Sequence, residues 1–200
     1  MNGLPTPPPA MRSSLERLRE LLAEEGGLMA SLAGPAAGAR PAHGDGAVAS
    51  AHGDGPAQLA AAGPRAEGSR DDYELLIEAI YEGYLLHYGK PRVALTSDQD
   101  LGLLAGDRLY ALGLARLIAL GDLAAVAELA DTITLSALAQ GASSPELADA
   151  VWVAGARAIG WGSSEAHRRA KELVLAGSPK AIEAMRTICN RPPPTPATSR

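Results

Sequence analysis

The carboxylates of this chain are the residues whose spacing could do chemistry. Glu74, Glu78 and Glu82 recur at four-residue intervals, so a helix would set them in one row beside an apolar face. Carboxylate oxygens are hard ligands that suit a divalent cation such as Mg2+. The commoner use of such a row is a solvated helix edge. Asp71 and Asp72 open the same segment, where aspartates also complement a helix dipole. Asp98 and Asp100 present the same choice between charge at a helix start and a weak metal site. Gln140 reads as a polar helix end, and His87 sits where a histidine meets terminal helix carbonyls. Ser136 and His167 do not suggest a nucleophile and base. No nucleophile elbow, phosphate-binding loop or dinucleotide fingerprint is present. Cys189 is the only cysteine. It has no partner for a zinc ligand set or an intramolecular disulfide, and it suits a reducing compartment. Ala42-His43-Gly44-Asp45-Gly46 recurs as Ala51-His52-Gly53-Asp54-Gly55, either a weak metal-binding pattern or low-complexity drift.

Leu104-Ala105-Gly106-Asp107, with Arg108 after it, opens a long apolar run extending to Ala142. Glycine costs roughly 1 kcal/mol against alanine inside a helix. A carboxylate on an apolar helix needs a partner or a path to water. The run resembles the helix after the first aspartate-rich motif of all-trans polyprenyl diphosphate synthases, where a leucine-rich L-A-G-D segment leads into a helix and a second apolar helix follows. The resemblance spans about residues 70–142 and is nearest to the short, non-catalytic subunit of heteromeric prenyl synthases.

That resemblance implies a truncated prenyl-synthase-like helical bundle. It makes Asp107 a structural tie between neighbouring helices and gives Arg108 to that tie or to a partner. It also sets Gln140 where catalytic relatives carry a glutamine near the diphosphate. The family neutralises a departing diphosphate with Mg2+ held by two aspartate-rich motifs. Here Leu75 stands where the third aspartate after Asp71-Asp72 would be, and no second motif follows. The resemblance therefore implies no catalysis by this chain alone and no cofactor of its own, with Mg2+ on a catalytic partner. That partner would be a prenyl diphosphate synthase subunit in a heterodimer, with a homodimer second. This chain would shape the product tunnel in the making of an isoprenoid such as a quinone side chain. Two other readings stand beside it: a helical interaction or regulatory module with no isoprenoid link, and a small carboxylate-metal enzyme built on Glu74, Glu78 and Glu82.

The elements that must position these groups read as helices throughout, an all-α antiparallel bundle. Leu15, Leu18, Leu21 and Leu22 mark a short helix over 11–25, closed by Gly26-Gly27. The rest of 1–70 is mostly small and polar. It holds too little apolar bulk to offset its ordering entropy, and 26–70 is expected to be disordered. Residues 71–190 read as a domain of six helices joined by short loops. The starts are marked by Ser97 with Asp100, by Asp122, by Ser144-Pro145, by Ser164-Glu165 and by Ser178-Pro179. Residues 191–200 read as a disordered tail. The formal net charge is −5 with no lysine or arginine track, which argues against nucleic acid. Leu101–Leu120 contains Asp107, Arg108 and Arg116, which argues against a membrane span. No basic-then-apolar leader is visible, so a cytoplasmic protein is expected.

Overall fold

A computed structural model describes residues 13–34 and 55–190, and among these the chain is all helical. Ser14–Glu25 is α1. Ser13 caps it by accepting from Glu16 N at 3.2 Å, while the Glu16 carboxylate accepts from Ser13 N at 2.9 Å. Leu18, Leu21 and Leu22 are buried, as their stripe requires. Gly26 turns the chain with φ 69° into α2, Gly27–Leu32.

Folded structure starts earlier than the sequence suggests. Gly27–Leu32 and Pro56–Ala61 (α3) are helices, and Pro64–Ala66 is a 3-10 turn. Ala57, Ala60, Ala61 and Ala66 are buried in the central core. The expectation of disorder across 26–70 therefore fails at 26–34 and 55–70. Small residues here stabilise the fold by letting backbones approach, not by bulk. A Cβ on Gly63 would stand 2.2 Å from the carbonyl oxygen of Gly160. His43 and His52, with the rest of 35–54, lie outside the described residues, as do 1–12 and the tail 191–200.

The remaining six helices follow in order. They are α4 (Arg70–Tyr88), α5 (Gln99–Ala119), α6 (Leu123–Gly141), α7 (Pro145–Trp161), α8 (Glu165–Leu175) and α9 (Ala181–Cys189). Asp98, not Ser97, caps α5, accepting from Leu101 N at 3.1 Å. Asp122 caps α6 through Ala125 N at 2.9 Å, and Ser164 caps α8 through His167 N at 3.1 Å. Helices α4 and α5 run antiparallel: Gly83 meets Gly106 and Ile80 meets Gly113. Trp152 of α7 anchors the central core with Ile77, Ile80, Tyr84, Leu117 and Leu129. A second cluster packs α1 and α2 onto α4 and α5, and a third joins α7, α8 and α9. The described residues contain no strand, only an isolated antiparallel bridge between Ala33 and Ala94.

Candidate functional site

The three glutamates of α4 do lie along one side of the helix, but each already has a partner. Glu74 takes Arg17 of α1 at 2.9 Å and Gln58 Nε2 of α3 at 3.1 Å. Glu78 is 2% exposed and lies 2.6 Å from the Arg92 guanidinium. Glu82 is fully buried. One of its oxygens accepts from the backbone N–H groups of Arg92, Val93 and Ala94 at 2.7, 2.6 and 3.0 Å, and the other meets Arg92 Nε at 3.2 Å. The row is thus neither a solvated edge nor an open metal site. It fastens the α4–α5 loop and α1 to the bundle. Burial pushes the Glu78 carboxyl above its ordinary range, against the pull of Arg92. Among the described residues no group of three or more His, Cys, Asp or Glu could hold a metal ion. Arg92, which also lies 5.0 Å over the Tyr81 ring, is the residue that decides this. The only trace of it in the sequence is a single arginine just past the Gly89-Lys90-Pro91 stop.

The L-A-G-D segment holds two helices at close range. Gly106 faces the backbone of Gly83 and the His87 ring, whose Cδ2 would lie 2.5 Å from an added Cβ. Asp107, 69% exposed, sits 3.2 Å from His87 Nε2, and the His87 ring stacks on Tyr110 at 5.4 Å. Arg108 pairs with Glu25 of α1. Ala105 is buried beneath α1 and α2, whereas Leu104 is 61% exposed. His87 as the partner of Asp107 was not legible in the sequence, because the two residues belong to different helices.

The other polar candidates are dispersed. Asp98 is a cap, Asp100 is exposed in the first turn of α5, and Gln140 donates to the Tyr84 hydroxyl at 2.6 Å. Asp71 is 3.3 Å from Arg17, while Asp72 and Arg116 flank a cavity of about 260 Å³ floored by Leu75, Leu76 and Leu120. Elsewhere, Asp122 accepts from Arg65 and from the Tyr73 hydroxyl, tying the 3-10 turn to α4 and α6. Glu128 of α6 lies 3.3 Å from His167 and 3.1 Å from Lys171, which also reaches Asp131 at 2.6 Å. Burial alone would raise the Glu128 carboxyl. Its contacts with His167 and Lys171 outweigh it and hold the group at about 2.

The surface carries a different signal. Leu104 and Ile118 of α5 are 61% and 53% exposed, and Ala111 and Ala115 lie between them on the same open face. Around the hairpin, Leu123 and Leu138 of α6 are 69% and 48% exposed, with Ala127 and Ala130 between. The spacings follow the helical period, so each helix turns one apolar stripe inward and a second, mostly apolar one outward, interrupted by Arg108 on α5 and by Asp131 and Thr134 on α6. By length and composition α6 could cross a membrane. Its inner face, including Leu129, Thr132 and Leu135, is buried in the bundle. Compared with known protein families, curated proteins and solved structures, the chain matches none.

Proposed function

We propose that this chain is a non-catalytic partner subunit of a prenyl diphosphate synthase. The outward apolar stripes of α5 and α6 would dock on the catalytic subunit, and this chain would help shape the product tunnel in isoprenoid synthesis. The observation that carries the reading is that exposed face, from Leu104 through Ile118 and Leu123 to Leu138. Exposed apolar side chains grouped on one face mark an interaction site, and Arg108, Asp131 and Thr134 give this one polar positions among them. The alanines between the leucines leave room for a facing helix to approach closely. Each of the four large side chains is already between about a third and a half buried, so docking adds at most about 1–2 kcal/mol apiece. Association must also overcome several kcal/mol of lost freedom. A partner that covers both helices is therefore favoured over one that covers a single stripe. The α4 glutamates support a non-catalytic role, because their charges are spent on Arg17, Arg92 and backbone amides. Mg2+ and the diphosphates would belong to the partner.

The test is co-expression with the catalytic prenyl diphosphate synthase of the same organism, followed by co-purification and measurement of product chain length. The pair should purify together, and the chain alone should turn nothing over. Leu104→Asp combined with Ile118→Asp should abolish pairing while leaving the isolated chain folded, since both sites are open to water. Unchanged co-purification of that double variant would remove the α5 face from the reading. Failure of the wild-type chain to pair with the synthase, together with capture of another helical protein, would replace the isoprenoid reading with that of a general interaction module.

A further inference from the structure

We propose that residues 13–34, comprising α1 and α2, form a strap that lifts from α4 and α5 as a unit, and that its release extends the apolar docking face. The inference deepens the partner reading and rests on it for the purpose of the opening, though not for the opening itself.

Four observations carry it. The strap is joined to α3 by residues 35–54, twenty residues of chain, and by one side-chain hydrogen bond, Gln58 Nε2 to Ser14 Oγ at 3.1 Å. It contributes a cluster of its own: Leu18, Leu21, Leu22, Met29 and Leu32 cover Ala105, Leu109 and Leu112 of α5, apart from the Trp152 core. Five large apolar side chains hold twenty-two ordered residues, and α1 and α2 are too short to persist as helices without that contact. The polar ties are few, and two of them are open to solvent: Arg108 to Glu25 and Arg17 to Asp71 are ion pairs with one member more than half exposed, while Arg17 to Glu74 at 2.9 Å is the part-buried one. The main-chain tie is a single bridge, Gly34 N to Val93 O at 2.9 Å and Leu95 N to Leu32 O at 2.8 Å.

The same bridge shows what sets the closed state. Val93 and Ala94 are held by the buried Glu82 carboxylate, so Glu82 presents the Val93 carbonyl and the Leu95 amide to the strap. Few buried contacts and a narrow hydrogen-bonded join are the marks of a segment that opens below the global unfolding free energy. When the strap lifts, Ala105, Leu109 and Leu112 join Leu104, Ala111 and Ala115 in an arc of somewhat less than half of the α5 circumference, with Arg108 and Arg116 inside it. In the closed state the strap occupies ground that a partner helix could take.

Native-state hydrogen exchange on the full chain tests this without any partner. The amides of Leu18, Leu21, Leu22 and Met29 should exchange together, roughly ten-fold or more faster than those of Ile77, Ile80 and Leu129. A lock is available because Ala33 and Ala94 face each other as a non-hydrogen-bonded antiparallel pair, the spacing a disulfide spans. Oxidised Ala33→Cys/Ala94→Cys, in a Cys189→Ser background, should slow the strap amides to within about three-fold of the core, with reduction restoring the fast exchange. Strap amides that exchange only with the core, or that ignore the lock, would overturn the inference and leave the partner reading untouched. Failure of the synthase to co-purify would sink the partner reading and leave the exchange result standing.

Discussion

Removing the Glu82 carboxylate should be among the most damaging single changes available in this chain. In Glu82→Ala the N–H groups of Arg92, Val93 and Ala94 lose the oxygen they share, and Arg92 loses one of its two anions. Val93 and Ala94 are fully buried, so water does not readily replace that acceptor. A buried donor left without a partner costs about 1–3 kcal/mol. Breaking a buried ion pair from one side costs about 3–5 kcal/mol. Taking the low end for two amides and one pair gives roughly 5 kcal/mol, which is comparable with the whole stability of a marginal domain. Glu82→Gln keeps an acceptor oxygen and should lose only about 2 kcal/mol. Urea denaturation of the two variants and the wild type, followed by circular dichroism, measures both numbers, and equal slopes would show that the unfolded states are comparable. If Glu82→Ala lay within about 1 kcal/mol of wild type, the buried clamp would not exist as described and the carboxylate row would return to being a solvated edge.

Gly160→Ala would place a Cβ 2.5 Å from the Ala60 carbonyl oxygen, against backbone that cannot rotate away. Overpacking near the top of the usual range, about 3 kcal/mol, less about 1 kcal/mol of gained helix propensity, predicts a net loss of about 2 kcal/mol. Gly141→Ala, with nothing within 4 Å, should be neutral or slightly stabilising, and thermal melts of the two glycine variants beside wild type check both outcomes. Glu128 has a folded-state pKa held down at about 2, so its contribution is present above the ordinary carboxylate range and disappears as pH falls from 4.5 toward 2. Stability measured across that window should fall by up to about 3 kcal/mol more in wild type than in Glu128→Gln. Millimolar Mg2+ should leave the melting temperature of the isolated chain unchanged, since Arg17 and Arg92 already occupy the α4 carboxylates. A rise that vanished in Glu78→Gln would favour the metal-enzyme reading instead.

The sequence by itself determined the helices of 71–190 and most of their ends, because periodicity and capping are local. Asp122 and Ser164 cap through amides three residues away, and Gly89 and Gly141 close their helices within one turn. It also marked Gly106 and Asp107 as out of place on an apolar helix. What it left undecided was what they touch, since His87, Gly83 and Glu25 come from other helices. Spacing alone gave Glu74, Glu78 and Glu82 as one set of candidates. Tertiary structure divided them, handing Glu74 to Arg17 and the other two to Arg92 and its loop, because counter-charges arrive from distant segments. The same limit explains 55–70. Alanine and glycine look too small to build a core until a second backbone is brought against them, and only the packing of α3 on α7 shows that closeness, not bulk, buries that stretch. The inward and outward stripes of α5 are both rich in leucine and alanine, and which of them meets Tyr84 and Ile80 and which is left exposed was decided by where α4 lies.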